Sequence, residues 1–159
     1  MKAFLCLFAL GIFLHMHEGQ ASLCPPGFES FYVGPESQDA CLKFAMDVKR
    51  DWDTARSYCM SLGFDLAQLD EGNLHWSVIS YIRSHPEMLN VGFHIGCTDE
   101  VNEGRWIWTD GRPVNMFSCH WYPGQPDGGN QENYGCLYYD DFMYNSCVNG
   151  ERLYAICMF

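Results

Sequence analysis

The chain predicts an α+β domain: two helices, then short antiparallel strands and a long loop region. Three observations carry this. Residues 50–83 hold two stretches with apolar residues at helical spacing. From Val91 onward the chain breaks into short aromatic and aliphatic runs divided by Gly, Asn, Asp and Pro, the pattern of strands and turns. Nine cysteines in 159 residues point to a fold stapled by disulfides.

The chain opens on Met1-Lys2, an apolar run over 3–14 and the small-residue stretch Gly19-Gln20-Ala21, the layout of a secretory signal with cleavage expected after Ala21. The run is too short to span a bilayer, and no later stretch is long and apolar enough to do so. Residues 1–21 are therefore read as a signal peptide. Residues 22–159 are read as one secreted, extracellular domain, long enough to bury one core. Cys6 leaves with the signal. Cys24, Cys41, Cys59, Cys97, Cys119, Cys136, Cys147 and Cys157 remain, an even set that predicts full pairing. Spacing alone leaves on the order of a hundred pairings open.

In the first helix Trp52, Ala55, Cys59 and Leu62 recur on one face, with Asp51 placed to cap the start and Gly63 to close the end. In the second, Leu74, Val78, Ile79 and Ile82 form the inward stripe. Asp70 and Glu71 stand at its positive end, and Pro86 stops it. Strands are expected at 64–69, 106–108, 135–139 and 153–159. The stretch 109–131 is too long for an ordinary connection, and loops of that length are usually functional or disordered; Cys119 and the tryptophans around it argue for order.

A formal charge of −11 and the lack of a basic stripe exclude nucleic acid and anionic membranes as partners. An acidic, extracellular, oxygen-rich chain is a natural host for Ca²⁺, although solvated surface acid explains the same composition. His75, His85, His94 and His120 lack zinc-like spacing. Glu132, Asp140 and Asp141 could pair for glycoside hydrolysis, but no nucleophile elbow, phosphate loop or histidine constellation accompanies them, so no enzyme is expected.

Several segments, in order, resemble one family. Cys24-Pro25-Pro26-Gly27-Phe28 with Cys41-Leu42-Lys43-Phe44 is similar to an N-terminal hairpin, and Trp52-Asp53-Thr54-Ala55 with Cys59 to a first helix. Leu66-Ala67-Gln68-Leu69 is similar to the strand that follows. Phe93-His94-Ile95-Gly96 stands where Trp-Ile-Gly is expected, and Glu103-Gly104-Arg105-Trp106-Ile107-Trp108-Thr109-Asp110-Gly111 is similar to a central strand and turn. Together they resemble the long form of the C-type lectin-like domain, and the likeness runs from Cys24 to Cys157. It implies four disulfides: Cys24 to Cys41, Cys59 to Cys157, Cys136 to Cys147 and, as an additional bridge, Cys97 to Cys119.

The resemblance also implies a site at Gln125-Pro126-Asp127. In the family a Ca²⁺ ion is held around such a proline, whose peptide is cis, and two sugar hydroxyls complete a shell of about six to eight oxygens. Amide before acid is the family's galactose order. Gln125 and Asp127 are thus implied both as metal ligands and as carbohydrate contacts, and Glu132 as the next carboxylate. Tyr122, Trp121 and Tyr134 are the aromatics near enough to stack on a sugar face. The family's Trp-Asn-Asp triplet, counted back from the penultimate cysteine, falls on Phe142, Met143 and Tyr144, and neither Met nor Tyr is a Ca²⁺ ligand. Three outcomes stay open: a weak Ca²⁺ site, a site rebuilt with Asp140 and Asp141, or no ion. The functions implied are a secreted lectin for galactose-type glycans or bacterial surface polysaccharide in innate defence, or a lectin-like domain that binds protein, lipid or another non-sugar ligand.

Overall fold

The computed structural model describes residues 24–35, 38–138 and 141–159. The expected signal peptide lies outside them, as does Asp140.

Strand β1 (Glu29–Phe31) pairs antiparallel with β2 (Ala40–Arg50), and the Cys24–Cys41 disulfide closes the hairpin. The chain then turns into α1 (Trp52–Ser61). Asp51 caps it as expected: its carboxylate accepts from the Thr54 backbone N–H at 2.9 Å, and that bond holds the carboxyl below the ordinary aspartate range. Trp52, Ala55 and Cys59 are buried, and Gly63 takes the left-handed conformation that ends the helix (φ 89°). Leu62, predicted for the inward face, is instead the exposed C-cap residue.

After β3 (Asp65–Leu66) comes α2 (Leu74–Ser84), which buries Leu74, Val78, Ile79 and Ile82. The helix starts later than Asp70 and Glu71, and its first turn carries no acid. Asp70 is taken by Arg112, whose guanidinium lies 2.7 Å away. The direct ion pair draws the carboxylate away from the weaker field of the helix end.

The other strands are β4 (Phe93–Thr98), β5 (Ile107–Trp108), β6 (Tyr134–Leu137), β7 (Tyr144–Cys147) and β8 (Leu153–Met158). They form one sheet in the order β1-β2-β8-β4-β6-β7, with β3 added at β8 and β5 at β4. All pairs are antiparallel except β4 with β8, so the sheet is mixed rather than purely antiparallel. Beside β8, the Cys59–Cys157 disulfide ties α1 to the strand. The Cys136–Cys147 disulfide crosses the β6–β7 hairpin.

The fourth expected disulfide does not form. Cys97 and Cys119 are free thiols, the first buried on β4 and the second exposed on the long loop. The Cys97 sulfur fills the space above Gly135, where a Cβ would lie 2.1 Å from it. Burial raises its pKa well above that of an ordinary thiol, so it serves as a small core residue.

Two histidines are built into the interior. His94 stands where the family has tryptophan, and its Nε2–H donates to the carbonyls of Arg50 (3.0 Å) and Glu151 (3.2 Å), joining the end of β2 to the approach to β8. His75 lies fully buried against His120 and Tyr144, with neither ring nitrogen hydrogen-bonded. Burial lowers the His94 pKa to about 4 and that of His75 to about 3. Both values lie below the unfolded histidine value of about 6.5. The unfolded chain therefore binds more protons, and the stability these residues give is full above about pH 6.5 and is lost as pH falls through their folded values. We expect the melting temperature to drop between about pH 6.5 and pH 4, and His75→Phe, which keeps the ring contacts, to flatten that drop. Thermal melts across this range check it; equal slopes in both proteins would remove His75 from the explanation.

Candidate functional site

The long loop is anchored by aromatic packing. Trp121 is buried edge-on between Trp106 (5.3 Å between ring centroids) and Tyr144 (5.7 Å). Its neighbours pair with β7: the Tyr122 N–H donates to the Tyr144 carbonyl at 2.9 Å, and the Tyr144 N–H to the His120 carbonyl at 2.7 Å. From that anchor a turn, closed by the Gln125 N–H on the Tyr122 carbonyl at 2.9 Å, brings Gln125 over the sheet edge. The Gln125–Pro126 peptide is cis.

Gln125 is oriented at both ends of its amide. Oε1 accepts from the Ser146 backbone N–H at 2.7 Å, and Nε2 donates to Asp127 Oδ1 at 2.5 Å. The backbone donor on β7 fixes which end is oxygen. The Ser146 hydroxyl lies 2.9 Å from Gln125 Oε1 and 2.7 Å from Glu132 Oε2, with its single proton shared between them. Glu132 reaches this point by lying across Gly128, where a Cβ would stand 2.2 Å from its side chain. Glycine is what leaves room for the carboxylate. Gln125, Asp127, Glu132 and Ser146 thus converge on one patch.

The other candidates go elsewhere. Tyr122 is exposed on the rim of the patch. Trp121 belongs to the core. Tyr134 is buried with its ring stacked on Trp52 at 4.9 Å, and burial together with Glu100 raises its pKa far above that of an exposed phenol. Neither Trp121 nor Tyr134 presents a face to a sugar. Asp141 sits in the turn between β6 and β7, where its carboxylate accepts from the Met143 N–H at 2.9 Å instead of joining Gln125 and Glu132.

Ser146 is the site residue that sequence reading missed. Counting back from Cys147 placed the family's Trp-Asn-Asp on Phe142, Met143 and Tyr144. In the structure Phe142 and Tyr144 are both buried, the Tyr144 hydroxyl donating to the Leu69 carbonyl at 2.7 Å, and Ser146 is the residue that meets Gln125 and Glu132. Ser146 closes the run Tyr144-Asn145-Ser146, two residues nearer the cysteine than the counted positions. The aromatic-Asn-small polar order was the available signal. Asn145 turns its amide to the Met143 carbonyl at 3.0 Å.

All four side chains offer hard oxygens, the donors Ca²⁺ takes and zinc does not favour. Gln125 Oε1 and Glu132 Oε2 both lie within 2.9 Å of the Ser146 oxygen, which places the amide and the carboxylate on one side of the patch. The set fits Ca²⁺ but is short: among the described residues no three His, Cys, Asp or Glu side chains gather to hold a metal.

The family model for the lectin C-type domain matches residues 48–159. The chain belongs to the C-type lectin domain family. Its lectin domain is similar to the C-type lectin mosGCTL-7 of Aedes aegypti, 23% identical over 126 residues that cover 72% of this chain and 80% of that one. It is likewise similar to the galactose-specific lectin nattectin of Thalassophryne nattereri, 29% identical over 119 residues, 75% of this chain and 69% of the relative. The match spans 42–60% of the length of other curated lectin relatives. Among solved structures, the C-type lectin CEL-I of Cucumaria echinata superposes with a TM-score of 0.70 at 26% identity, covering 86% of this chain and 96% of CEL-I. No helix among the described residues is long and apolar enough to cross a membrane.

Proposed function

We propose that this chain is a secreted lectin that binds galactose-type glycans, including those of bacterial surfaces, at the Gln125–Glu132 loop, and that it acts in innate recognition or agglutination. The convergence of Gln125 and Glu132 on Ser146, with Asp127 on the other end of the Gln125 amide, supports this reading. Gln125, Asp127 and Glu132 would hold Ca²⁺, with Ser146 beside them. A bound Ca²⁺ would supply coordination to two vicinal sugar hydroxyls. The protein's part is to orient the amide and the carboxylates toward those hydroxyls, while Tyr122 on the rim offers a ring to the apolar face of the sugar. The galactose-specific name of one relative and the Gln-Pro-Asp order support galactose as the first sugar to try.

We expect isothermal titration to show weak Ca²⁺ binding, galactose heat only when Ca²⁺ is present, and retention on galactose-agarose that chelator reverses. Asp127→Ala should abolish retention. Galactose heat that persists in chelator would reject the metal-bridged reading. One observation favours a second reading, a lectin-like domain for a non-sugar ligand: a neutral serine stands between Gln125 and Glu132, so the set carries only the carboxylates of Asp127 and Glu132. Ca²⁺-independent behaviour throughout, with no retention on sugar, would select it.

A further inference from the structure

A second surface has the chemistry of a sugar site and shares no residue with the loop. Along the outer face of α2 runs a shallow groove of about 520 Å³, lined by Tyr32, Asn73, Trp76, Ser77, Ser80 and Tyr81 among others. Past Trp76 it adjoins a second hollow of about 390 Å³, where Ser80, Arg83 and Ser84 continue the line. The Asp39 carboxylate at the edge of the first hollow is taken by the Ser30 hydroxyl, and none of the described residues that line the hollow is Asp, Glu, Lys or Arg. That is unusual on a chain with 20 acidic and 9 basic residues.

The Trp76 and Tyr81 rings are held in place before any ligand arrives. Trp76 is 48% exposed, yet its indole is buttressed edge-on by His75 (5.1 Å) and His120 (5.6 Å). Tyr32 is 51% exposed, and its backbone is tied to the helix by the Ser77 hydroxyl, which donates to the Tyr32 carbonyl at 2.9 Å. Tyr81 forms the floor, stacked on Phe44 at 5.1 Å. Little ordering is left for binding to impose.

We propose that this groove is a second, metal-independent glycan site that takes a neutral, β-linked oligosaccharide along the axis of α2, with Trp76 and Tyr32 as stacking platforms. A pyranose whose substituents are all equatorial shows C–H groups on both faces and hydroxyls around its edge. The faces suit exposed aromatic rings; the edge suits the short hydroxyls and amide of Ser77, Ser80 and Asn73. Two hollows that share Trp76 and Ser80 suit a chain of sugars better than a single ring. The lack of carboxylates separates this chemistry from that of the loop. A chain with two unlike glycan sites could hold two surface polysaccharides together without forming a dimer.

The test titrates the protein, in chelator, with cellotetraose and with N-acetylchitotetraose. The Trp76 indole NMR resonance, assigned by its absence from Trp76→Ala, is followed together with calorimetric heat. We expect a saturable shift at millimolar sugar, and binding about tenfold weaker in Trp76→Ala, the loss of one stacking platform. Ser80→Arg, which places a bulky charge in the groove without touching the packing of Trp76, should weaken binding similarly and covers the case in which Trp76→Ala fails to fold. Asp127→Ala should bind both tetrasaccharides like the parent, while Ser80→Arg keeps galactose-agarose retention. Failure of the loop reading would therefore show in retention alone. A Trp76 resonance that moves with neither sugar, or affinity unchanged in Ser80→Arg, overturns the proposal.

Discussion

Replacing Cys59 and Cys157 together by alanine is expected to lower stability by about 4–5 kcal/mol, the loop-entropy value for a closure of this length. The bridge spans a sequence separation of 98, against 17 for Cys24–Cys41 and 11 for Cys136–Cys147. It therefore restricts the unfolded chain most. Both sulfurs are also fully buried, in a cluster with Trp52, Ala55, Leu66 and Tyr134, so alanine leaves unfilled space as well. For a domain of this size the melting temperature should fall by roughly 15 °C. The matched control, Cys24→Ala with Cys41→Ala, should cost about 3 kcal/mol. Calorimetric melts of the two variants decide the matter: a smaller drop for Cys59/Cys157 than for Cys24/Cys41 would show that loop length does not govern these bridges.

The second large effect is a gain. Ser146→Asp should raise Ca²⁺ affinity by about tenfold or more, because it adds a third carboxylate to a set that now offers two and an amide. Without Ca²⁺ the same change should destabilise the domain. The new carboxylate loses the hydroxyl proton now shared by Gln125 and Glu132 and stands beside Glu132 as a like charge. The melting temperature of Ser146→Asp should therefore lie below that of the parent in chelator and rise steeply with added Ca²⁺. Titration calorimetry and melts with and without Ca²⁺ measure both halves. If Ser146→Asp binds Ca²⁺ no more tightly than the parent, Ser146 does not border the ion.

What the sequence revealed, and what it hid, follows the range of each interaction. The Asp51 cap and the Gly63 stop depend on neighbours within one helix, and both were legible. Asp70 was misread because its partner, Arg112, is 42 residues away and reaches it only once the sheet has formed. The pairing of Cys97 with Cys119 came from assigning the two cysteines left over. Nothing in the spacing records that one would be sealed behind Gly135 and the other left in solvent. Gln125, Asp127 and Glu132 could be read from a local motif. Ser146 could not be found by counting, since the segment between Cys136 and Cys147 is short. Only the folded hairpin shows that the Ser146 backbone N–H and hydroxyl are the groups that meet Gln125. Tyr134 has the right type and neighbourhood for a sugar platform, but its contact with Trp52, far back in the chain, turns it inward.

The exposed thiol of Cys119 has a practical consequence. It lies on the same loop as Trp121 and Gln125, so a maleimide dye attached there would sit close to the patch and could report ligand uptake by a change in fluorescence. Thiol coupling to a sensor chip, in contrast, would turn the loop toward the support and hide it. Glycan arrays and biosensor work on this protein should therefore immobilise it through amines, or use Cys119→Ser, before a silent surface is taken for a lack of binding.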